Sequence, residues 1–194
     1  MTDTAMCHPH MLTSLVIIRD RSEFSHRSTV RNVALFHVTH CGEEGARFTL
    51  DHHGFGPETT RSEILEGTAA RIPEGATLIT LAPRILERYI RPSLAAGDPL
   101  PPGDLQLLQR LRPDLHLLPL ECRDDTLDAA GAAFSIQRAS RGSSVVARAR
   151  RAADEAQCVW LSYLHSLCRR SDQVFFTSAW EAWRALQRAR PVPF

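Results

Sequence analysis

The strongest chemical feature of the sequence is a basic run between residues 138 and 151. Five arginines occur in this run, and no acidic residue interrupts them. A guanidinium can donate two parallel N–H groups to a phosphate, so several neighbouring arginines suit a phosphate backbone. The alternative is an exposed loop in an arginine-rich protein. The five residues are Arg138, Arg141, Arg148, Arg150 and Arg151.

Motifs for metal binding and nucleophilic catalysis are scarce elsewhere in the sequence. Cys7, His8 and His10 place three potential ligands within four residues, although a flexible terminus carrying a few histidines is the commoner explanation. The five cysteines are scattered and never form a Cys-x-x-Cys pair, which argues against a disulfide framework and a structural zinc site. The nucleophile elbow, the P-loop and the His-Glu-x-x-His motif do not occur.

The composition indicates a folded protein with a balanced charge. The 194 residues are 43% apolar, the net charge is +1, and all 23 basic residues are arginine, as in proteins from GC-rich genomes. No apolar run approaches the roughly 18 residues that a membrane helix needs. We expect a cytoplasmic protein in a reducing compartment, without a membrane partner. Residues 1–11 are expected to form a flexible leader, and residues 12–190 a single domain.

The elements expected to position these residues begin with strands and continue with helices. The segment 41–45 has the length and the glycines of a hairpin turn. Thr60 and Glu63 form a capping box that starts a helix, and Pro83 can begin another. Between and after these helices come two further short strands. The first three strands are predicted at Leu12–Ile18, Val33–His40 and Ala46–His52.

Two helices are predicted near the end of the chain. Ala152–Cys168 carries an apolar stripe at helical spacing, and Ser178 to Glu181 forms a second capping box. Trp180 and Trp183 are expected to close the last helix onto the body, although one of them could instead stack a base. Three meandering strands followed by alternating helices and strands predict an α/β (α+β) fold. The arrangement is ribonuclease-H-like, with a mixed five-stranded sheet flanked by helices.

Three stretches carry a resemblance to a known family. Thr126–Ile136 is similar to a Leu-Asp-x-Leu-x-x-x-Phe-Gly-Ile helix, and Ala152–Ala156 is similar to an Ala-x-x-Asp-Ala turn. Gly75–Ile90 resembles a strand and helix that carry a second acidic motif. On these stretches the chain resembles the DnaQ-like (DEDD) 3′–5′ exonucleases over about Leu12 to Leu167.

The resemblance implies a metal-dependent nuclease site, which this sequence keeps only in part. In the family, about four carboxylates hold two Mg²⁺ or Mn²⁺ ions that activate water for phosphodiester cleavage. The first motif, Asp-x-Glu, falls here on Arg19 and Arg21. The acid of the second motif falls on Glu87, and that of the last motif on Asp154. Asp154 could also be a first-turn helix acid favoured by the helix dipole.

Two sets of site residues follow from this resemblance. In an active enzyme, Asp154 and Glu87 would be catalytic. The metal ligands would then be Asp20, Glu23, Glu87 and Asp154. In a protein that only binds nucleic acid, arginines would replace them. These are Arg19, Arg21, Arg138, Arg141, Arg148, Arg150 and Arg151.

The sequence therefore favours one function and leaves two alternatives open. The favoured function is a catalytically degenerate exonuclease homologue without a metal cofactor. It would act as an accessory or regulatory module that binds single-stranded nucleic acid, together with a protein partner. The first alternative is an active 3′–5′ exonuclease that uses Mg²⁺ or Mn²⁺ bound by displaced carboxylates. The second alternative is a protein-interaction scaffold.

Overall fold

A computed structural model describes residues 11–21, 28–41, 45–56, 58–81, 102–120, 130–133, 136 and 145–189. The five strands are β1 (Met11–Arg21), β2 (Ser28–His40), β3 (Ala46–Gly54), β4 (Thr77–Leu81) and β5 (His116–Leu120). The four helices whose bounds are defined are α1 (Arg61–Ala69), α2 (Pro102–Leu111), α3 (Val145–Leu167) and α4 (Arg170–Ala189). The helix predicted after Pro83 lies outside these residues, and the Thr126–Ile136 stretch lies mostly outside them.

The strands form one mixed sheet in the order β3-β2-β1-β4-β5. The first three strands are antiparallel neighbours, whereas β4 pairs parallel with β1 and β5 pairs parallel with β4. At the hairpin between β2 and β3, the Cys41 N–H donates to the Gly45 carbonyl, and Gly45 adopts a φ of 101°. Together with helices on the sheet, this confirms the α+β fold class and the ribonuclease-H-like arrangement expected from the sequence.

Helix α3 is the central helix of one face of the sheet. Every residue from 155 to 164 is buried, because the sheet covers one side of the helix and α4 covers another. The Ser14 hydroxyl of β1 donates to the Ala156 carbonyl at 2.9 Å, which fixes the middle of the helix against the middle strand. The apolar stripe is thus confirmed from Ala156 to Leu164, and Trp160 is a core residue, whereas Leu167 at the end of the predicted stripe is exposed. The predicted start at Ala152 is wrong, because the helix begins at Val145.

Helix α4 folds back on α3 after two residues and forms an antiparallel helical hairpin with it. The Gln173 side chain donates to the carbonyls of His165 and Cys168. These bonds satisfy carbonyl groups at the end of α3 that have no partner within the helix, and they tie the first turn of α4 to that end. Ser178 therefore lies inside α4 and does not cap it, so the second predicted capping box is wrong.

The other face of the sheet is aliphatic and is covered by α1 and α2. The predicted capping box of α1 is confirmed. Glu63 N–H donates to the Thr60 hydroxyl, and the Glu63 carboxylate accepts from Thr60 N–H at 2.7 Å. In β1 and β2, the hydroxyl of Thr13 hydrogen-bonds the His37 Nδ1 at 2.9 Å, and burial lowers the pKa of His37 despite nearby Asp51.

Arg112 joins the turn after α2 to the end of α1. Its guanidinium donates to the carbonyls of Ala69, Ile72 and Pro73, and it forms a two-point contact with Asp114 at 2.7 and 2.8 Å. This contact, assisted by the Gly75 N–H, holds the pKa of the Asp114 carboxyl far below its usual range. The donors of Arg112 are thus directed to acceptors of the protein itself.

Candidate nucleic-acid interface

The structure places only part of the predicted site. Glu23, Glu87, Arg138 and Arg141 lie outside the described residues. The roles proposed for them, as metal ligands, catalytic groups or phosphate contacts, stay predictions. The site can therefore be described from β1 and from the two helices α3 and α4.

Arg19, Asp20 and Arg21 are the last three residues of β1. Their backbones pair with Val30, Thr29 and Ser28 of β2, directly after a register shift between Ile18 and Arg19. The predicted position at the end of the first strand is thus confirmed for the backbone, while their side chains are outside the description. Ser14 of β1 bonds Ala156 in the middle of α3, and Leu12 near the start of β1 lines a pocket with Leu164 near the end of α3. The start of α3 therefore lies toward the Arg19–Arg21 end of β1.

The second half of the basic run lies in α3 and not in a loop before it. Arg148, Arg150 and Arg151 all fall within Val145–Leu167. The helix predicted at Ala152–Cys168 left these three residues outside it, which is wrong because the helix begins at Val145. Arg150 is exposed, and Arg151 is partly buried. The side chain of Arg148 is outside the description.

Asp154 lies more than two turns inside α3, which overturns its interpretation as a first-turn acid stabilised by the helix dipole. The side chain is half-buried. Burial raises the pKa of Asp154 above its ordinary value, and this effect outweighs the opposite effect of Arg184, Arg150 and Arg188. Three guanidinium groups, two of them from α4, and the neighbouring Glu155 carboxylate thus act on Asp154.

Glu155, the neighbour of Asp154, is the more buried acid. It is 1% exposed, and its Oε1 accepts from the Arg151 Nε at 2.7 Å. The residues on either side of it along the inner stripe, Ala152 and Ala156, are fully buried. Sequence reasoning selected Asp154 and missed Glu155. Position 155 lies three residues after Ala152 and four before Val159, so the helical spacing of the stripe predicts that it is buried.

Helix α4 supplies groups that sequence reasoning also missed. Arg184 lies over the ring of Trp180, with its guanidinium carbon 5.1 Å from the ring centroid, and burial lowers the pKa of Arg184. Trp180 itself is 1% exposed and donates from its indole N–H to Gln157 at 3.3 Å. The suggestion that Trp180 stacks a base is therefore wrong. The four-residue spacing of Trp180, Arg184 and Arg188 was the available signal.

Trp183 also belongs to the core. Its ring lies 5.5 Å from that of Phe36 and 5.9 Å from that of Phe48, both on the sheet. The expectation that the two tryptophans close the last helix onto the body is confirmed. The rings anchor α4 on the sheet. Arg184 and Arg188 of α4 then lie close enough to Asp154 of α3 to act on its pKa.

The described carboxylates fit guanidinium partners better than a divalent metal ion. Within the described residues, no group of three or more His, Cys, Asp and Glu side chains is close enough to hold a metal. Glu155 is already paired with Arg151, and the charges that act on Asp154 include those of Arg184, Arg150 and Arg188, which repel a dication. We therefore assign no metal-dependent step to these residues. None of the described helices is long and apolar enough to cross a membrane.

Comparison with known proteins adds a weak structural likeness. No protein-family model matches the sequence, and no curated protein matches it. Among solved structures, the chain is similar to the solution structure of the PFV RNase H domain, with a TM-score of 0.31 and 11% identity. The likeness covers 78% of this chain and 93% of that chain. The fold assignment above rests on strand order and direction, not on this likeness.

Proposed function

We propose that the chain binds single-stranded nucleic acid as an accessory or regulatory module on a ribonuclease-H-like fold. In this proposal it is a catalytically degenerate relative of the DnaQ-like 3′–5′ exonucleases. The observation that supports it is the set of guanidinium groups beside the carboxylates of α3. Arg151 pairs with Glu155, and Arg150 acts on Asp154.

The chemistry of the two alternatives differs at this point of the fold. A two-metal nuclease needs carboxylates whose oxygens are available to hard dications. A phosphate-binding surface instead needs cations that exceed the local acids. Around the first turns of α3, arginines outnumber carboxylates, and this balance favours phosphate binding. The proposed contacts on β1, Arg19 and Arg21, would extend the surface toward the end of that strand.

The direct test is binding of a fluorescently labelled single-stranded oligonucleotide, as DNA and as RNA, measured by anisotropy at several salt concentrations. We expect the affinity to fall as salt rises, because each phosphate contact releases counterions. The variant Arg148→Ala/Arg150→Ala should bind more weakly and lower the salt slope by about 1.4, from about 0.7 per contact on a single strand. Arg151 is left unchanged in this variant, because its removal would break the ion pair with the buried Glu155 carboxylate and destabilise the fold.

The matched control is Arg110→Ala, which removes an exposed arginine from α2 on the opposite face of the sheet. This variant should bind as the wild type does. Wild-type protein that shows no salt-sensitive binding would overturn the proposal and favour the interaction-scaffold alternative. An unchanged affinity of the Arg148→Ala/Arg150→Ala variant would show that these two residues are not part of the proposed binding site.

A second assay tests the alternative of an active exonuclease. The same oligonucleotide is incubated with the protein and Mn²⁺, and products are resolved by length. Stepwise shortening from the 3′ end that Asp154→Ala abolishes would contradict catalytic degeneracy. It would also show that displaced carboxylates, with Asp154 among them, hold the metal. Binding without shortening is the outcome that the proposal expects.

A further inference from the structure

The strand β3 forms one edge of the sheet that the described residues make, with a neighbouring strand on its inner side alone. The strand at the opposite edge, β5, contains Pro119, which has no backbone N–H to donate to a further strand. No proline occurs among the nine residues of β3. Of these two edges, β3 is therefore better suited to pair with another strand.

The sequence of β3 is complementary to itself when two copies run antiparallel. A pairing centred on Thr49 places Arg47 opposite Asp51 of the second copy, and the symmetry repeats this pair. Opposite charges at facing positions stabilise such a pairing, and like charges destabilise it. Arg47 is exposed, and Asp51 is partly exposed, with its Oδ2 at 3.5 Å from the Arg71 Nε. A carboxylate accepts at two oxygens, so Asp51 can take a second guanidinium.

The hairpin determines which backbone groups of β3 point to the open edge. The Cys41 N–H donates to the Gly45 carbonyl, and hydrogen-bonded pairs alternate from there along the two strands. The odd-numbered residues of β3 thus bond β2, whereas Phe48 and Leu50 direct their backbone groups outward. In the pairing centred on Thr49, these two residues exchange hydrogen bonds between the copies. The charged pairs then lie at the closer positions, where Cα atoms are about 4.5 Å apart.

Helix α4 carries an exposed and uncharged stripe beside this strand. Its four residues follow at intervals of four, three and four, which places them on one side of the helix. They are Phe175, Ala179, Ala182 and Leu186. Phe175 is 42% exposed and Leu186 is 66% exposed. Thr177, which contacts His165 of α3, lies on the other side of α4, so the stripe faces away from α3.

The position of α4 over the sheet brings the stripe to the same edge. The Trp183 ring lies 5.5 Å from that of Phe36 on β2 and 5.9 Å from that of Phe48 on β3, so the helix runs between these strands. Pairing of two β3 strands then places the two α4 helices about 9.6 Å apart, twice the strand spacing of about 4.8 Å. This matches the separation of about 8–10 Å between packed helices.

We propose that a second copy of this chain docks on the β3–α4 edge and forms a twofold symmetric dimer. The β3–α4 edge consists of residues 46–52, Phe175, Ala179, Ala182 and Leu186. The β3 strands pair antiparallel about Thr49, and the α4 stripes pack across the same axis, so two five-stranded sheets become continuous. This inference goes beyond the proposed function and does not depend on it.

Sedimentation velocity of the full chain at several concentrations tests the proposal, and we expect the wild type to form dimers. Arg47→Asp and Asp51→Arg each place like charges opposite each other twice, so each should raise the dimer dissociation constant at least about tenfold. An equimolar mixture of these two variants restores both opposite-charge pairs and should recover dimers. Two separately weakened variants that fail to recover on mixing would overturn the pairing about Thr49.

Leu186→Asp tests the stripe of α4 and should also weaken the dimer. Its matched control is Leu111→Asp, which changes an exposed leucine of α2 on the other face of the sheet and should leave the dimer unchanged. The thermal midpoint of each variant shows that it is folded. A dimer that tolerates both Arg47→Asp and Leu186→Asp would overturn the proposal. A wild type that stays monomeric would also overturn it, and slow exchange of the outward Phe48 and Leu50 amides in that monomer would show that the chain covers its own edge.

Discussion

The turn around Arg112 and the surroundings of Asp154 on α3 use the arginine side chain in different ways. At Arg112, one guanidinium meets three backbone carbonyls and a carboxylate, so its donors end on acceptors of the protein. Around Asp154, by contrast, Arg150, Arg184 and Arg188 act on the pKa of one half-buried carboxyl, and neighbouring Glu155 acts on it in the opposite direction. In a chain whose cations are all arginine, the residue type alone says little. Burial and the internal acceptors around it separate a structural arginine such as Arg112 from an exposed one such as Arg150.

Arg151 provides the strongest test of this distinction. Although it lies in the basic run, it pairs with buried Glu155, which makes it structural in the same sense as Arg112. Arg151→Ala should lower the free energy of unfolding by about 3–5 kcal/mol, because it removes the ion-pair partner that Arg151 provides to the buried Glu155 carboxylate. Urea unfolding measures this loss, and neighbouring Arg150→Ala should change stability by less than about 0.5 kcal/mol.

A double variant separates the charge effect from the packing effect at this position. Arg151→Leu with Glu155→Leu removes both charges and should recover much of the loss. Equal stability losses for the single variants of Arg150 and Arg151 would break the proposed distinction within α3.

Arg112→Ala should have the next largest effect. Removal of the guanidinium leaves the carbonyls of Ala69, Ile72 and Pro73 without this donor, at a cost of about 2–4 kcal/mol in unfolding free energy. Binding of single strands at a temperature where the variant is folded should equal that of the wild type. Arg110→Ala, two residues away and exposed, is the control for stability. Weaker binding by the folded Arg112→Ala variant would contradict its structural role.

Asp154→Asn should have a smaller effect, and on binding. The substitution keeps the size of the side chain but removes a negative charge on which Arg150, Arg184 and Arg188 act. We expect about threefold tighter binding of a single strand, in line with roughly 0.7 kcal/mol of screened charge interaction. Anisotropy at 100 mM salt measures it. Loss of affinity would show instead that the carboxylate is needed for binding, which would favour a metal-ligating role.

The smallest expected effect concerns pH. Burial raises the pKa of Asp154, so the folded protein holds this proton more tightly than the unfolded chain does. The wild type should therefore lose stability as pH rises from the ordinary pKa of 3.8 through the raised folded value. The groups that oppose this loss are Arg150 on the same helix and Arg184 and Arg188 on α4.

Comparison with Asp154→Asn isolates this pH effect. The stability of the variant relative to the wild type should increase between pH 4 and pH 7 and should then stay constant. Urea unfolding at three pH values measures the difference. A difference that does not change with pH would mean that the carboxyl titrates alike in both states.

Local sequence patterns predicted the sheet and the buried helix because their determinants lie close together in the chain. The Thr60–Glu63 capping box is a local exchange of hydrogen bonds, and the structure contains it. Ser178 to Glu181 fits the same Ser/Thr-x-x-Glu pattern, but the helix α4 already begins at Arg170, so Ser178 lies inside it. The helix boundary depends on the packing of α4 against α3, which the pattern does not encode.

The site was harder to predict than the fold, for a related reason. Asp154 and Arg184 are 30 positions apart, and only the antiparallel packing of two helices brings their charges together. Arg151 and Arg150 are adjacent and identical, but they differ in burial because the helix turns by about 100° between them. Arg151 is therefore the one that pairs with buried Glu155, whereas Arg150 is exposed. This difference depends on both residues being part of α3, which the predicted start at Ala152 excluded.

The complete burial of α3 between residues 155 and 164 has a consequence for local motion. Amides of this segment should exchange with solvent only when α4 detaches or the whole protein unfolds. The anchors that resist detachment are Phe176, Trp180 and Trp183. A ligand that contacts both helices must leave before α4 can open, so its binding should slow hydrogen exchange in α3. The rate of hydrogen exchange in the core of α3 would thereby show whether a ligand is bound across the two helices.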